Sequence, residues 1–437
     1  MKTTEELRLE IVELVKEFAD LKYTEKTFKP GRSVVPPSGK VIGATELQYM
    51  VDASLDGWLT TGRFNRKFEK QLSEFIGIKR LITVNSGSSA NLVAFATLTS
   101  PKLGERAIKK GDEVIGVAAG FPTTVNPIVQ FGAIPVFVDI DLETHNVNTD
   151  LIEAAISPKT KAIMLAHTLG NPFNLEKVKA LCDKHKLWLV EDCCDALGAK
   201  YNDQHVGTFG DIATCSFYPA HHITMGEGGA VFTNSSELIT IAESFRDWGR
   251  DCYCDPGCDN TCEKRFEQQL GSLPKGYDHK YTYSHLGYNL KISDMQAACG
   301  LAQLKRLPEF IKKRNENFAY LKNKLSSLTE FIDLPEATKN SEPSWFGFPI
   351  TLKEGVDRVG FIQYLDSHKI GTRLLFAGNL TKQPYFEGIE YRIASDLTNT
   401  DITMNKTLWL GIYPALGKTQ LGFIAEKIEG FFEKHEV

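Results

Sequence analysis

The chain lacks a surplus of positive charge. Its 50 lysines and arginines face 55 aspartates and glutamates, a net charge of −5 over 437 residues. Proteins that grip nucleic acid through its phosphates need a basic excess, so the composition argues against that class. Long hydrophobic runs are missing too, and no stretch approaches the roughly 20 apolar residues of a membrane span. Charged residues run through positions 1–20, where a secretory leader would have an apolar centre. Leu7, Ile11, Leu14, Val15 and Phe18 instead fall on a helical period. An amphipathic N-terminal helix and a cytoplasmic location are therefore expected. Internal repeats and low-complexity tracts are absent. At 42% hydrophobic and 24% charged, the chain reads as an ordinary globular protein with room for two domains.

Cysteine breaks that pattern. Of nine, Cys193 and Cys194 are adjacent, while Cys252, Cys254, Cys258 and Cys262 lie within eleven residues. Cys182, Cys215 and Cys299 are scattered among apolar neighbours, as core thiols are. Structural disulfides are rare in cytosolic proteins, so the clustered set points to metal or redox chemistry. Cys194, Cys252, Cys254 and Cys262 follow the spacing C-x57-C-x-C-x7-C, unlike the common zinc and ferredoxin patterns. On chemistry alone, a metal centre and a set of unligated loop thiols both stay open.

Between about Gly57 and Phe245, short apolar runs alternate with amphipathic segments. Leu81–Val84, Val114–Val117, Pro135–Val138, Ala162–Leu165 and Leu187–Val190 read as parallel strands buried on both faces. The expected class is α/β: a large doubly wound domain over 51–305, after an N-terminal helical segment at 1–50. A small C-terminal α+β domain follows over 306–437. The cysteine-rich stretch 246–283 interrupts the rhythm and reads as a long functional loop.

Two segments suggest a phosphorylated ligand. Asn85 to Leu92, a Ser- and Gly-rich turn before a helix, supplies backbone donors for a phosphate, although simple helix capping explains it equally. Glu191–Asp192 ends a strand, where an acid can serve a ring nitrogen or merely form a salt bridge.

The order of Gly87–Ser88, Phe121, Asp192, Asp195, Ser216, His221 and Gly287–Tyr288–Asn289 resembles the DegT/DnrJ/EryC1/StrS family of sugar-modifying enzymes. These use pyridoxal phosphate (PLP) on the fold type I, aspartate aminotransferase-like scaffold. The resemblance implies that Gly87, Ser88 and Ser216 hold the cofactor phosphate and that Phe121 stacks on its ring. It further implies that Asp192 pairs with the pyridine nitrogen and that Asp195 lies near the ring hydroxyl. Asn289 would serve the phosphate of a neighbouring subunit, which implies a homodimer. Arg373, Trp58 and Arg63 are candidate contacts for a nucleotide-sugar substrate.

His221 departs from the pattern. It stands where the family's lysine forms a Schiff base with the cofactor, in Ser216 to Gly229. An imidazole cannot form that link but suits proton transfer near neutrality. The pattern is similar to the branch of the family that removes the C3 hydroxyl of 4-keto-6-deoxy nucleotide sugars using pyridoxamine phosphate (PMP). The neighbouring His222 reads as a supporting polar residue. The cysteine spacing resembles the iron–sulfur members of that branch, which act on CDP-linked sugars for 3,6-dideoxyhexoses of lipopolysaccharide O-antigen. This resemblance implies a [2Fe–2S] cluster on Cys194, Cys252, Cys254 and Cys262, fed by an NADH-dependent flavin/Fe–S reductase; Cys193 and Cys258 are the spare thiols. The rival readings are a TDP-sugar 3-dehydrase, a self-sufficient PMP dehydratase, a PLP aminotransferase and a non-catalytic Fe–S sensor.

Overall fold

The computed structural model describes residues 1–24, 27–252, 254, 257–261 and 263–433. Its centre is an eight-stranded sheet, in which Arg80–Val84 is followed across by Gly229–Thr233, Ile212–Ser216 and Trp188–Asp192. Then come Thr160–Ala166, Glu113–Val117, Ile134–Val138 and, at the far edge, Arg392–Ile393. The five apolar runs expected as strands all lie in this sheet. Four of its strands (Trp188–Asp192, Ile212–Ser216, Gly229–Thr233 and Glu113–Val117) are buried at nearly every position, as expected for strands covered on both faces. One strand departs from the parallel expectation. Gly229–Thr233 runs antiparallel to both neighbours. It returns directly after the turn that carries His221, leaving no room for a crossover helix.

Two layers of apolar side chains sandwich the sheet. One is built from the helices Arg63–Ile76 and Asp294–Leu304 with Phe173 and Phe217, the other from Gly87–Leu98 and Ser236–Arg246. The helix at Asp294 is started by a capping box of Ser293 and Gln296. A second core gathers Ile332, Phe348, Phe361, Leu410 and Ile424 around a four-stranded sheet, closed by the helix Lys418–Phe432. Val35 joins this core and bridges Ile370, so the N-terminal segment reaches the C-terminal unit. Arg392–Ile393 crosses the other way into the large sheet.

The N-terminal helix forms over Thr4–Lys22, capped by Thr3 and Glu6. Its apolar positions stay largely open: Leu14 is 61% and Phe18 56% exposed. Charge fastens it instead. Arg8 pairs with Asp52 and Asp56, and Arg63 pairs with the same two carboxylates from the other side. Between Arg246 and Asp294, the described residues contain only the short 3-10 turn His279–Tyr281 as regular helix.

Candidate active site

A cavity of about 580 Å³ opens at the carboxyl ends of the parallel strands, where α/β sheets carry their ligands. A larger cleft of about 730 Å³, between Arg106, Lys161 and Trp188, lies at the amino ends of the same strands. It gathers none of the predicted site residues. Gly87, Ser88, Phe121, Asp192, Cys194, Asp195, Ser216, His221 and Arg373 all line the first cavity.

The helix Gly87–Leu98 begins here, with Ser86 Oγ accepting from the Ser89 amide, so the free N–H groups of its first turn open onto the cavity, as an anion site would need. Gly87 is required by close approach. A Cβ there would stand 2.5 Å from Ser216 Cβ, 2.8 Å from its Oγ and 3.0 Å from Cys194 Sγ. Ser88 Oγ donates to Thr123 Oγ1 at 3.2 Å, joining this turn to the N-terminus of the helix Pro122–Gln130. Phe121 is half exposed and packs edge-on against Phe376.

Asp192 ends its strand buried, with its carboxylate oriented from three sides. Oδ2 accepts from Asn91 Nδ2 and Thr124 Oγ1, both at 2.8 Å, and Oδ1 accepts from the Cys194 amide at 3.0 Å. Asn91 is itself fixed, since Thr214 donates to its Oδ1 at 2.6 Å. Sequence alone marks neither Asn91 nor Thr124, although Asn91 falls within Asn85 to Leu92 and Thr124 lies close after Phe121.

His221 lies on the turn between the strands Ile212–Ser216 and Gly229–Thr233. Its Nδ1 is 3.3 Å from Asp195 Oδ1, an ion-pair distance without hydrogen-bond geometry. Its ring rests on Phe346, 5.2 Å between centroids. With Nδ1 turned toward Asp195, Nε2 is the nitrogen left for proton transfer. Among the described residues, no lysine lines the cavity. His222 points elsewhere: it is buried and bonds the Ser344 carbonyl at 2.9 Å. Burial, reinforced by the Arg314 charge, holds its pKa well below the usual range, so it is a neutral structural residue.

The remaining predicted residues divide. Cys194 shares the cavity wall with Gly87 and Ser216, and burial together with Asp192 pushes its thiol pKa up. Cys252 and Cys254 lie on the long loop, where Thr261 Oγ1 donates to Cys254 Sγ at 3.0 Å; Cys258 is exposed. Cys262 lies outside the described residues. Among described residues, the only three ligand atoms of His, Cys, Asp and Glu gathered within 4.8 Å are those of His167, Glu191 and Cys193. That group is saturated: Glu191 already accepts from the amides of Gly207, Phe209 and Gly210. Asn289 is exposed and outside this chain's own cavity, opposite Asp247. Trp58 and Arg63 are also outside it: the Trp58 indole N–H bonds the Thr61 carbonyl, and Arg63 is committed to Asp52 and Asp56.

A glycine-started helix, a half-exposed aromatic and a buried acid, gathered at the carboxyl ends of three separate strands of one sheet, accord with a fold type I PLP-dependent transferase scaffold. The chain belongs to the DegT/DnrJ/EryC1/StrS aminotransferase family, whose pattern it matches over residues 40–429. It is 68% identical over 432 residues to the lipopolysaccharide biosynthesis protein RfbH of Salmonella typhimurium, covering 98% of this chain and 99% of that one. It is 51% identical over 410 residues to the dTDP-4-dehydro-2,6-dideoxy-D-glucose 3-dehydratase of Saccharopolyspora spinosa, covering 93% and 88%. Among solved structures, the E. coli GDP-4-keto-6-deoxy-D-mannose-3-dehydratase with bound hydrated PLP aligns with a TM-score of 0.81. The identity there is 28%, over 90% of this chain and 98% of that one.

Proposed function

We propose that this chain is a PMP-dependent 3-dehydratase of a nucleotide-linked 4-keto-6-deoxyhexose, and that CDP is the nucleotide. The observation that carries the reading is His221 in a PLP-type cavity that no lysine among the described residues lines. The residues fit the cofactor: Gly87, Ser88 and Ser216 form a cradle that a single Cβ would fill, and Asp192 is a buried, pre-oriented acid. PMP supplies an amine to condense with the C4 ketone and a ring that accepts the electrons of a broken C–H bond.

The chain's own residues then act as follows. Asp192 keeps the ring nitrogen protonated, with Asn91 and Thr124 preventing the carboxylate from rotating away. His221 Nε2 takes up the proton released beside the substrate, while Asp195 steadies the imidazolium through Nδ1. The same nitrogen can return that proton to the departing C3 hydroxyl, which leaves as water. Arg373, on the cavity wall, carries the charge to meet the nucleotide diphosphate.

We further propose that Cys194, Cys252, Cys254 and Cys262 hold a [2Fe–2S] cluster, which four thiolates suit. A two-iron cluster spreads its thiolates over two metals, so they need not meet around a single ion. The cluster would pass electrons one at a time from an NADH-dependent flavin/Fe–S reductase. In balance, the C3 hydroxyl, two electrons and two protons give a C3–H bond and water. The absence of a lysine among the described residues of the cavity and the 3-dehydratase relatives support the dehydration; the cluster proposal rests on the cysteine set alone. Cys194 in the cavity wall would also bring the cluster's path to the reacting centre.

The test is anaerobic purification with iron and PMP analysis, then assay on CDP-, dTDP- and GDP-linked 4-keto-6-deoxyhexoses. Iron near two per chain and reductase-dependent loss of the C3 oxygen from the CDP sugar are expected. Iron-free protein that turns over without a reductase would establish the self-sufficient dehydratase instead.

A further inference from the structure

Replacing a cofactor-tethered lysine by histidine removes a restraint as well as a nucleophile. An untethered imidazole must be held by the protein alone, since a displacement of about 1 Å can cost ~100-fold in rate. The turn around His221 is irregular; it is closed at its ends by the Met225 amide on the Phe217 carbonyl, while the His221 backbone itself makes one local bond, from its amide to the Tyr218 carbonyl at 2.9 Å.

The carbonyls of Ala220 and His221 are met from far away in the sequence. Arg314, on the helix Leu307–Lys324, donates from Nη2 to Ala220 O at 3.1 Å and to His221 O at 3.2 Å. Its Nη1 donates to Phe346 O at 2.9 Å. Phe346 is the ring on which the His221 imidazole rests. One guanidinium therefore fixes both the base and its platform.

We infer that Arg314 is the positioning residue of this site, clamping the His221 turn against Phe346 in place of the covalent tether of lysine enzymes. The inference rests on the reading of His221 as the base.

Its surroundings support that role over simple stabilisation. Arg314 is 1% exposed, and among described residues no carboxylate lies within ion-pair distance of it. Its Nε has no partner. Burial pushes its pKa down to about 10, offset in part by Asp195. A cation buried with no carboxylate partner carries an uncompensated desolvation cost, and Arg314→Met would in addition leave three backbone carbonyls without their donor, so Tm is recorded beside the rate. Its three bonds all go to backbone at the base and the base's platform. His222, bonded to Ser344 O, pins the next residue to the same segment.

The test compares Arg314→Lys, Arg314→Met and His221→Asn as cofactor-loaded enzymes, with CDP-4-keto-6-deoxyglucose as substrate and Tm recorded for each. For Arg314→Met, kcat should fall at least ~30-fold, and for Arg314→Lys by roughly 5-fold, with KM within about 3-fold of wild type. These values apply at temperatures where each protein is folded. In cofactor-free protein, imidazole 15N shifts should report one His221 tautomer in wild type and an averaged pair in the variants. If Arg314→Met does not fold, Arg314→Lys decides by the same readouts. Full turnover by His221→Asn would overturn the base reading and the clamp with it. An inactive His221→Asn beside Arg314 variants with unchanged kcat and one tautomer would overturn the clamp alone.

Discussion

At the scale of single residues, the site depends on groups held from several directions. Asp192 keeps one orientation because Asn91, Thr124 and the Cys194 amide each bond a defined oxygen. Asp192→Asn removes the charge while keeping the shape. We expect at least ~100-fold loss of turnover with the fold retained, since the ring nitrogen loses the partner that makes it an electron sink. Stopped-flow turnover beside circular dichroism checks this. Buried histidines give a second prediction. Burial lowers the His145 pKa to about 4 and holds His222 well below its usual range. Above about pH 6.5 neither state is protonated and their contribution to stability is complete. As pH falls below that value, the unfolded chain takes up protons that the folded chain refuses, so stability is lost. Urea midpoints should be lower at pH 5.0 than at pH 7.5. His145→Asn should reduce the difference; His145 sits at φ +55°, which Asn tolerates. An equal or higher midpoint at pH 5.0 would contradict this.

At the scale of elements, the phosphate cradle is the start of one helix pressed against the end of one strand. Gly87→Ala places a methyl group 2.5 Å from Ser216 Cβ and must move either the helix or the strand. PMP affinity, measured by fluorescence titration, should weaken at least ~10-fold while Tm changes by only a few degrees. Much of this element was legible from sequence, because a small-residue turn between a strand and a helix is a local pattern. The antiparallel strand Gly229–Thr233 was not, since an apolar run reads the same in either direction. Arg314 was equally hidden: on sequence it is one cation in a charged helix, 93 positions from His221. The N-terminal helix shows a converse limit. Its period is readable, but its fastening by Arg8, Asp52, Asp56 and Arg63 is not. Arg63→Met should leave KM unchanged and cost about 1 kcal/mol or less, because these pairs are partly open to solvent. A KM raised 10-fold would return Arg63 to the substrate.

At the scale of the whole molecule, the chain joins two devices that chain order keeps apart. The cavity comes from strand ends between Val84 and Ser216, and its base is held by the C-terminal half through Arg314 and Phe346. Three of the proposed cluster ligands follow Arg246 in the sequence, and the fourth, Cys194, sits in the cavity wall. Alanine substitution of Cys194, Cys252, Cys254 and Cys262, one at a time, should each abolish most bound iron. Substitution of Cys193 or Cys258 should leave it near wild type. Iron retained without Cys254 would break the assignment. The central claim is a histidine base acting beside an untethered cofactor, and hydrogen exchange at the PMP C4′ position in D2O tests it most directly. With CDP-4-keto-6-deoxyglucose and no reductase, mass spectrometry should show C4′ deuteration by the wild type and at least ~100-fold slower exchange by His221→Asn, with PMP still bound. Undiminished exchange in His221→Asn, or a borohydride-trapped cofactor–protein bond in the wild type, would contradict it.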